Sequence, residues 1–197
     1  MRKIGVTGGV GCGKSLVLSY LEDAYQALVL RTDEVSRDLM EPGGRCYEEI
    51  LDLLGREYLQ QDGSFDRKKI AEKVFCTPEL LEKMNEILHP AVISEILERE
   101  KRAEKKGCPI VCVESALLPV MQEKGNETFD ELWYVYADES SRINRLKESR
   151  GYTDEKISSI MANQLSEEGF RKACQCVIDN SGSFEETKRQ IDIALGE

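Results

Sequence analysis

The chain has 197 residues, 41% hydrophobic and 32% charged, a globular composition that excludes a disordered or fibrous protein. Its net charge of −10 argues against nucleic acid as the main partner, because such binders present a basic face. No apolar run reaches the roughly 18 residues of a membrane span, and seven cysteines with one histidine lack paired zinc-ligand spacing.

The opening residues, MRKIGVTGG, lead straight into a strand, so no signal peptide is expected, and a cytoplasmic protein with reduced thiols is. Strand character appears at Lys3–Thr7, Ala27–Arg31, Ile110–Glu114, Leu132–Tyr136 and Cys176–Asp179, with helical patterns between. After the first strand, Leu16, Val17, Tyr20 and Leu21 recur at helical spacing. About eighty residues separate the second and third strands, against the dozen or so a simple crossover needs. That interval carries turn signals at EPGG and QDGS. It also carries a helix opened by Thr77 as N-cap and Pro78 at the first helical position. Pro90 is expected to end or kink this helix, although Val92, Ile93, Ile96 and Leu97 continue its apolar pattern. A capping box at SFEE, from Ser183 to Glu186, opens the last helix. The alternation predicts an α/β protein with a parallel sheet and a helical subdomain inserted into it.

Gly8-Gly9-Val10-Gly11-Cys12-Gly13-Lys14-Ser15 fits the P-loop pattern G-x-x-x-x-G-K-[ST]. Glycines let backbone N–H groups turn inward around a phosphate chain, and the following helix adds its amino-terminal dipole. Lys14 is expected to reach the β- and γ-phosphates and the Ser15 hydroxyl to complete a Mg²⁺ shell. Cys12 is either a small residue fitting a tight loop or a thiol whose pKa is lowered by the helix terminus and Lys14.

A P-loop serves kinases, switches and motors alike. No N-K-x-D base-reading motif is present, which argues against a GTPase. Asp33, directly after the second strand, can orient an acceptor hydroxyl and take its proton, or it can cap a helix beginning at Glu34. Glu114 ends the third strand and can support Mg²⁺ through a water, or simply be solvated. Arg142, Arg145, Lys147 and Arg150 follow the fourth strand. They can close over a transferring phosphoryl group or form a solvated basic face.

Taken together the motifs resemble the dephospho-coenzyme A kinase family over nearly the whole chain. GVTGGVGCGKS is similar to that family's amino terminus. TDEVSRDLMEPGG is similar to its Asp-x-x-x-Arg and Pro-Gly, at Asp33, Arg37, Pro42 and Gly43. LLGREYLQQDGSFDRKKIAEKVF places Asp62, Gly63, Asp66 and Arg67, MNEILHP places Asn85, His89 and Pro90, and VIDNSG places Asn180 and Gly182. The resemblance departs at ESALLPV, where Glu114 keeps an acid but Ala116 and Val120 replace Pro and Glu. It departs also at Arg142, Ser149 and Cys174-Gln175.

The resemblance implies phosphorylation of the 3′-hydroxyl of dephospho-CoA by ATP with Mg²⁺, and a sheet ordered 2-3-1-4-5 with a lid. It implies Asp33 as the catalytic base and Arg145 as the lid arginine; these join Lys14 of the glycine loop as the catalytic candidates, with Ser15 and, through a water, Glu114 as the candidate Mg²⁺ support. ATP would meet residues Gly9, Val10, Gly11, Cys12, Gly13, Lys14, Ser15 and Leu16, with Asn180 and Gly182 beside the adenine. The acceptor would meet Thr7, Asp33, Arg37, Arg67 and His89. The corresponding division is a core of residues 1–33 and 107–197 with a lid at about 138–165, and an acceptor subdomain of residues 34–106. A small-molecule substrate and a monomer or small homo-oligomer are expected, without nucleic acid or membrane. The competing readings are a kinase of a nucleoside or other small metabolite and a nucleotide-binding module with weakened catalysis.

Overall fold

Five strands, β1 (Arg2–Thr7), β2 (Leu28–Arg31), β3 (Ile110–Glu114), β4 (Glu131–Tyr136) and β5 (Cys176–Asp179), form one sheet ordered β2-β3-β1-β4-β5. The computed structural model describes residues 1–115, 118 and 129–196; Ala116 and Val120 lie outside the described residues. β1 pairs in parallel with β3, Ile4 opposite Cys112, and with β4, Val6 opposite Trp133. β4 pairs in parallel with β5. Strands covered on both faces read as continuous apolar runs, and residues 110–113 and 132–135 are buried throughout.

The described helices are α1 (Lys14–Tyr25), α2 (Thr32–Met40), α3 (Tyr47–Leu54), α4 (Arg67–Cys76), α5 (Pro78–Lys105), α6 (Glu139–Arg150), α7 (Asp154–Ala162), α8 (Glu167–Ala173) and α9 (Phe184–Leu195). None is long and apolar enough to cross a membrane. The chain divides into two compact units, Met1–Leu30 with Ala103–Glu197, and Arg31–Arg102.

In the first unit Val17, Leu18 and Leu21 of α1 and Ile191 of α9 pack with Ile4, Val6, Trp133, Val135 and Ile178 of the sheet. The strand expected from Ala27 begins at Leu28. The Ala27 N–H instead donates to Leu21 O at 3.1 Å, closing the end of α1, where Gln26 adopts a φ of 54°. The capping box at Ser183 forms as expected, with Ser183 and Glu186 each bonding the other's backbone N–H.

The second unit is helical. Asp66 caps α4 by accepting from Lys69 N, and the turn before it is set by Asp62, which accepts from Ser64 N at 2.9 Å. The expected end of the helix at Pro90 does not occur: α5 runs without interruption from Pro78 to Lys105. Proline removes one donor from the ladder at a cost of about 3 kcal/mol. Met84, Leu88, Val92 and Ile96 nevertheless form one buried row at four-residue spacing across it. Burying the two beyond the proline returns about 1.5–3 kcal/mol each, enough to carry the helix through.

Candidate active site

β1 feeds the glycine loop and α1 starts at Lys14, the arrangement that places a helix amino terminus behind a phosphate. Gly13, the N-cap, has φ 89°, and a Cβ there would run into the Asn180 side-chain amide. A Cβ on Gly9 would stand 2.5 Å from the Arg142 guanidinium. Glycine is needed at these positions as much for what packs behind the loop as for what binds in front of it. The N–H groups of Gly9, Gly11 and Gly13 make no hydrogen bond among the described residues, leaving three donors for a ligand.

Lys14 Nζ donates to Gly8 O at 2.8 Å and lies 3.8 Å from Glu114 Oε1 at the end of β3. The ammonium is thereby folded back along the loop, beside the carboxylate. Ser15 and Leu16 are exposed in the first turn of α1. The Ser15 hydroxyl and the Glu114 carboxylate are oxygen donors, the chemistry a hard divalent cation such as Mg²⁺ takes.

Three distant segments hold the loop from behind. Arg142 Nε donates to Val10 O at 2.9 Å, and Gln164 Oε1 accepts from both Val10 N at 3.1 Å and Arg142 Nη2 at 3.0 Å. Arg145 donates to Cys12 O at 3.3 Å and to Asn180 O at 2.7 Å. Asn180, 2% exposed, donates through Nδ2 to the same Cys12 O at 2.8 Å, while its Oδ1 accepts from Thr187 Oγ1 at 3.0 Å. Both polar atoms of the Asn180 side chain are therefore committed inside the protein, and Gly182 lies exposed just before α9. α6 is itself fixed at its start by Asp138, which accepts from Ser141 N at 2.9 Å. The Ser140 and Ser141 hydroxyls hold the Asp138 carboxyl well below the usual carboxylate range.

Cys12 is not an activated thiol. It is 2% exposed and packs in the core, and burial pushes its pKa up against the opposing pull of Lys14 and Arg142. Thr7 ends β1 fully buried, and its hydroxyl has no hydrogen-bond partner among the described residues. Arg150 points its guanidinium at the Tyr152 ring, 5.8 Å away.

The second unit carries the remaining candidates. Asp33 is not a helix cap: α2 begins at Thr32 with Arg31 as N-cap, so Asp33 lies inside the first turn, exposed. Among the described residues the side chains of Asp33, Arg37 and His89 make no hydrogen bond or ion pair, and all three residues are exposed. Arg67 pairs with Glu41 at 2.6 Å, both side chains about half exposed at 49%. Glu95 gathers Arg99 at 2.8 Å, Arg102 at 3.2 Å and Arg45 at 3.8 Å. The Arg99 hydrogen bond holds its carboxyl below the ordinary glutamate range.

Gln164 and Thr187 gave no signal in the sequence. Each is an ordinary polar residue far along the chain from the loop it supports, Gln164 in the bend between α7 and α8 and Thr187 within α9. In the sequence Arg142 stands out as one member of a basic run and as a departure from the family pattern, neither of which points to Val10.

A family model described as dephospho-CoA kinase matches residues 2–186. A dephospho-CoA kinase of Carboxydothermus hydrogenoformans is 36% identical over 189 residues, covering 95% of this chain and 90% of that one. One of Corynebacterium glutamicum is 32% identical over 198 residues, covering 100% and 97%. Among solved structures, TT1252 from Thermus thermophilus aligns with a TM-score of 0.81 at 30% identity, covering 98% of this chain and 96% of that one. A shikimate kinase from Acinetobacter baumannii aligns at 0.56 with 12% identity over 99% and 93%, a likeness of fold alone.

Proposed function

The chain belongs to the dephospho-CoA kinase family, and from that membership we propose that it transfers the terminal phosphoryl group of ATP to the 3′-hydroxyl of dephospho-CoA. The products are CoA and ADP, and the reaction is the last step of coenzyme A synthesis. The observation that carries this reading is the family match across residues 2–186, from before the glycine loop to beyond Asn180. We place the protein in the cytoplasm, where its thiols stay reduced.

In this reading the free N–H groups of Gly9, Gly11 and Gly13 receive the polyphosphate, and Lys14 exchanges its carbonyl partner for phosphate oxygens. The Ser15 hydroxyl, and Glu114 through a water, would hold Mg²⁺, which would supply positive charge against the negative charge developing on the departing ADP. Asp33 accepts the proton of the attacking hydroxyl, for which an exposed carboxylate with no partner of its own is suited. Arg37, Arg67, His89 and Thr7 contact the acceptor, and the loop at Asn180 and Gly182 borders the adenine.

ADP release from Mg-ATP, compared across dephospho-CoA, CoA and adenosine, tests the proposal. Release with dephospho-CoA alone is expected, because the 3′-hydroxyl of CoA is already blocked. Release with adenosine in its place moves the assignment to a nucleoside kinase.

A further inference from the structure

Arg142 and Arg145 sit three residues apart on α6, hence on one face of it. Both end on carbonyl oxygens of the glycine loop, Arg142 on Val10 O at 2.9 Å and Arg145 on Cys12 O at 3.3 Å. Every peptide bond described is trans, and in a planar trans peptide the C=O and N–H point in opposite directions. A donor that fixes Val10 C=O on one side therefore fixes Gly11 N–H on the other. The same relation links Cys12 C=O to Gly13 N–H. These two amides are among the donors left without a partner.

We propose that Arg142 and Arg145 are positioning residues for the nucleoside polyphosphate: they grip the back of the loop through two carbonyls and so aim Gly11 and Gly13 N–H at the phosphates. The identity of that ligand rests on the kinase reading. The rest follows from contacts within the first unit. Arg145 uses its fork, one nitrogen on Cys12 O and the other on Asn180 O at 2.7 Å, and the Asn180 amide fills the second lone pair of Cys12 O. Gln164 holds the N–H of Val10 while Arg142 holds its C=O, so that residue is fixed at both ends. Four glycines in six residues would otherwise wander, and ordering them at the moment of binding would weaken the complex. An arginine acting through carbonyls works by the geometry of its fork, which a lysine does not reproduce. An arginine acting by its charge on the transferring phosphoryl group would tolerate lysine far better.

The test is a calorimetric titration of ADP and of inorganic tripolyphosphate into wild type, Arg145→Lys, Arg145→Ala, Arg142→Gln and Arg142→Ala, with kcat measured for each. Arg145→Lys and Arg145→Ala are both expected to weaken ADP and tripolyphosphate by about tenfold, the loss of a carbonyl-held amide on each. Arg142→Gln keeps a side-chain donor for Val10 O, so it is expected to lose less than Arg142→Ala. Rescue by Arg145→Lys, or a fall in kcat at unchanged ADP affinity, overturns the proposal in favour of direct phosphoryl contact. Unchanged affinities in variants with wild-type melting temperatures overturn it as well. If an alanine variant does not fold, the Lys and Gln variants carry the same comparison. A wild-type protein that binds ADP but leaves dephospho-CoA untouched removes the acceptor assignment alone, and the variants still decide this inference. One that binds neither ADP nor tripolyphosphate removes both.

Discussion

Around the glycine loop the side chains are held by hydrogen bonds: Arg142 to the Gln164 side chain, Arg145 to the Asn180 backbone carbonyl, Asn180 to the Thr187 hydroxyl, and all of them, directly or at one remove, to the loop backbone. In the second unit Asp33, Arg37 and His89 stand exposed without such bonds, while the ion pairs cluster instead on Glu95. Under the kinase function proposed above, the contrast separates two ways of preparing a site. A polyphosphate is bound by many backbone donors at once, and those must be aimed beforehand or their ordering cost is charged against affinity. An acceptor hydroxyl needs a carboxylate whose hydrogen-bonding capacity is still open, and a partner already in place would have to be displaced.

The sharpest way to break this contrast is to remove one chemical group from each side of it. Lys14→Ala and Asp33→Asn are each expected to lower turnover by at least about a hundredfold in the ADP-release assay. The first should also weaken ADP binding, while the second should leave it intact. A near-normal rate for Asp33→Asn would remove Asp33 from the mechanism. Next in size is Asn180→Ala, which strips a buried donor and acceptor at once and is expected to destabilise the fold by about 1–3 kcal/mol in urea unfolding. No single exposed candidate of the second unit should approach that figure. Pro90→Ala restores a helical N–H in α5 and is expected to stabilise by about 1 kcal/mol, less than the full proline penalty because the helix has already adapted.

The smallest effect concerns Glu95. Its carboxyl is depressed in the folded state, so its contribution is present above the ordinary glutamate range and disappears as pH falls through the folded value. Glu95→Gln is expected to be less stable than wild type by about 1 kcal/mol at pH 7, since the surrounding arginines are largely solvated. The two should converge as thermal melts are taken to a pH below the folded value, itself below the ordinary glutamate range, where the carboxyl is protonated in both folded and unfolded chains. A difference that persists at low pH would assign the loss to packing instead.

Features that depend on neighbours in sequence were legible in advance. The five strands fall within a residue of their expected limits, because apolar runs between turn residues are a local property. The glycine loop, its flanking strand and helix, and the Ser183 capping box are of the same kind. What local pattern could not supply is what packs against what. Pro90 does not end α5, because a buried row of side chains, invisible to local pattern, crosses it. Cys12 looks activated by its position next to Lys14, yet core residues from distant strands desolvate it. Asp33 has the residue type of a cap, yet α2 starts at Thr32, two residues before Glu34, and encloses it. Gln164 and Thr187 are found only once the sheet has brought the far end of the chain to the loop.

That last point bears on how the protein is made. β1 is translated well before its partners, which begin with Ile110 and Glu131. At about 5–20 residues per second, the strand waits several seconds on the ribosome with Ile4 and Val6 unpaired. The wait is longer for the glycine loop, whose supports include Gln164, Asn180 and Thr187. A nascent chain carrying the complete loop motif therefore still lacks the distant side chains that hold the loop backbone in place.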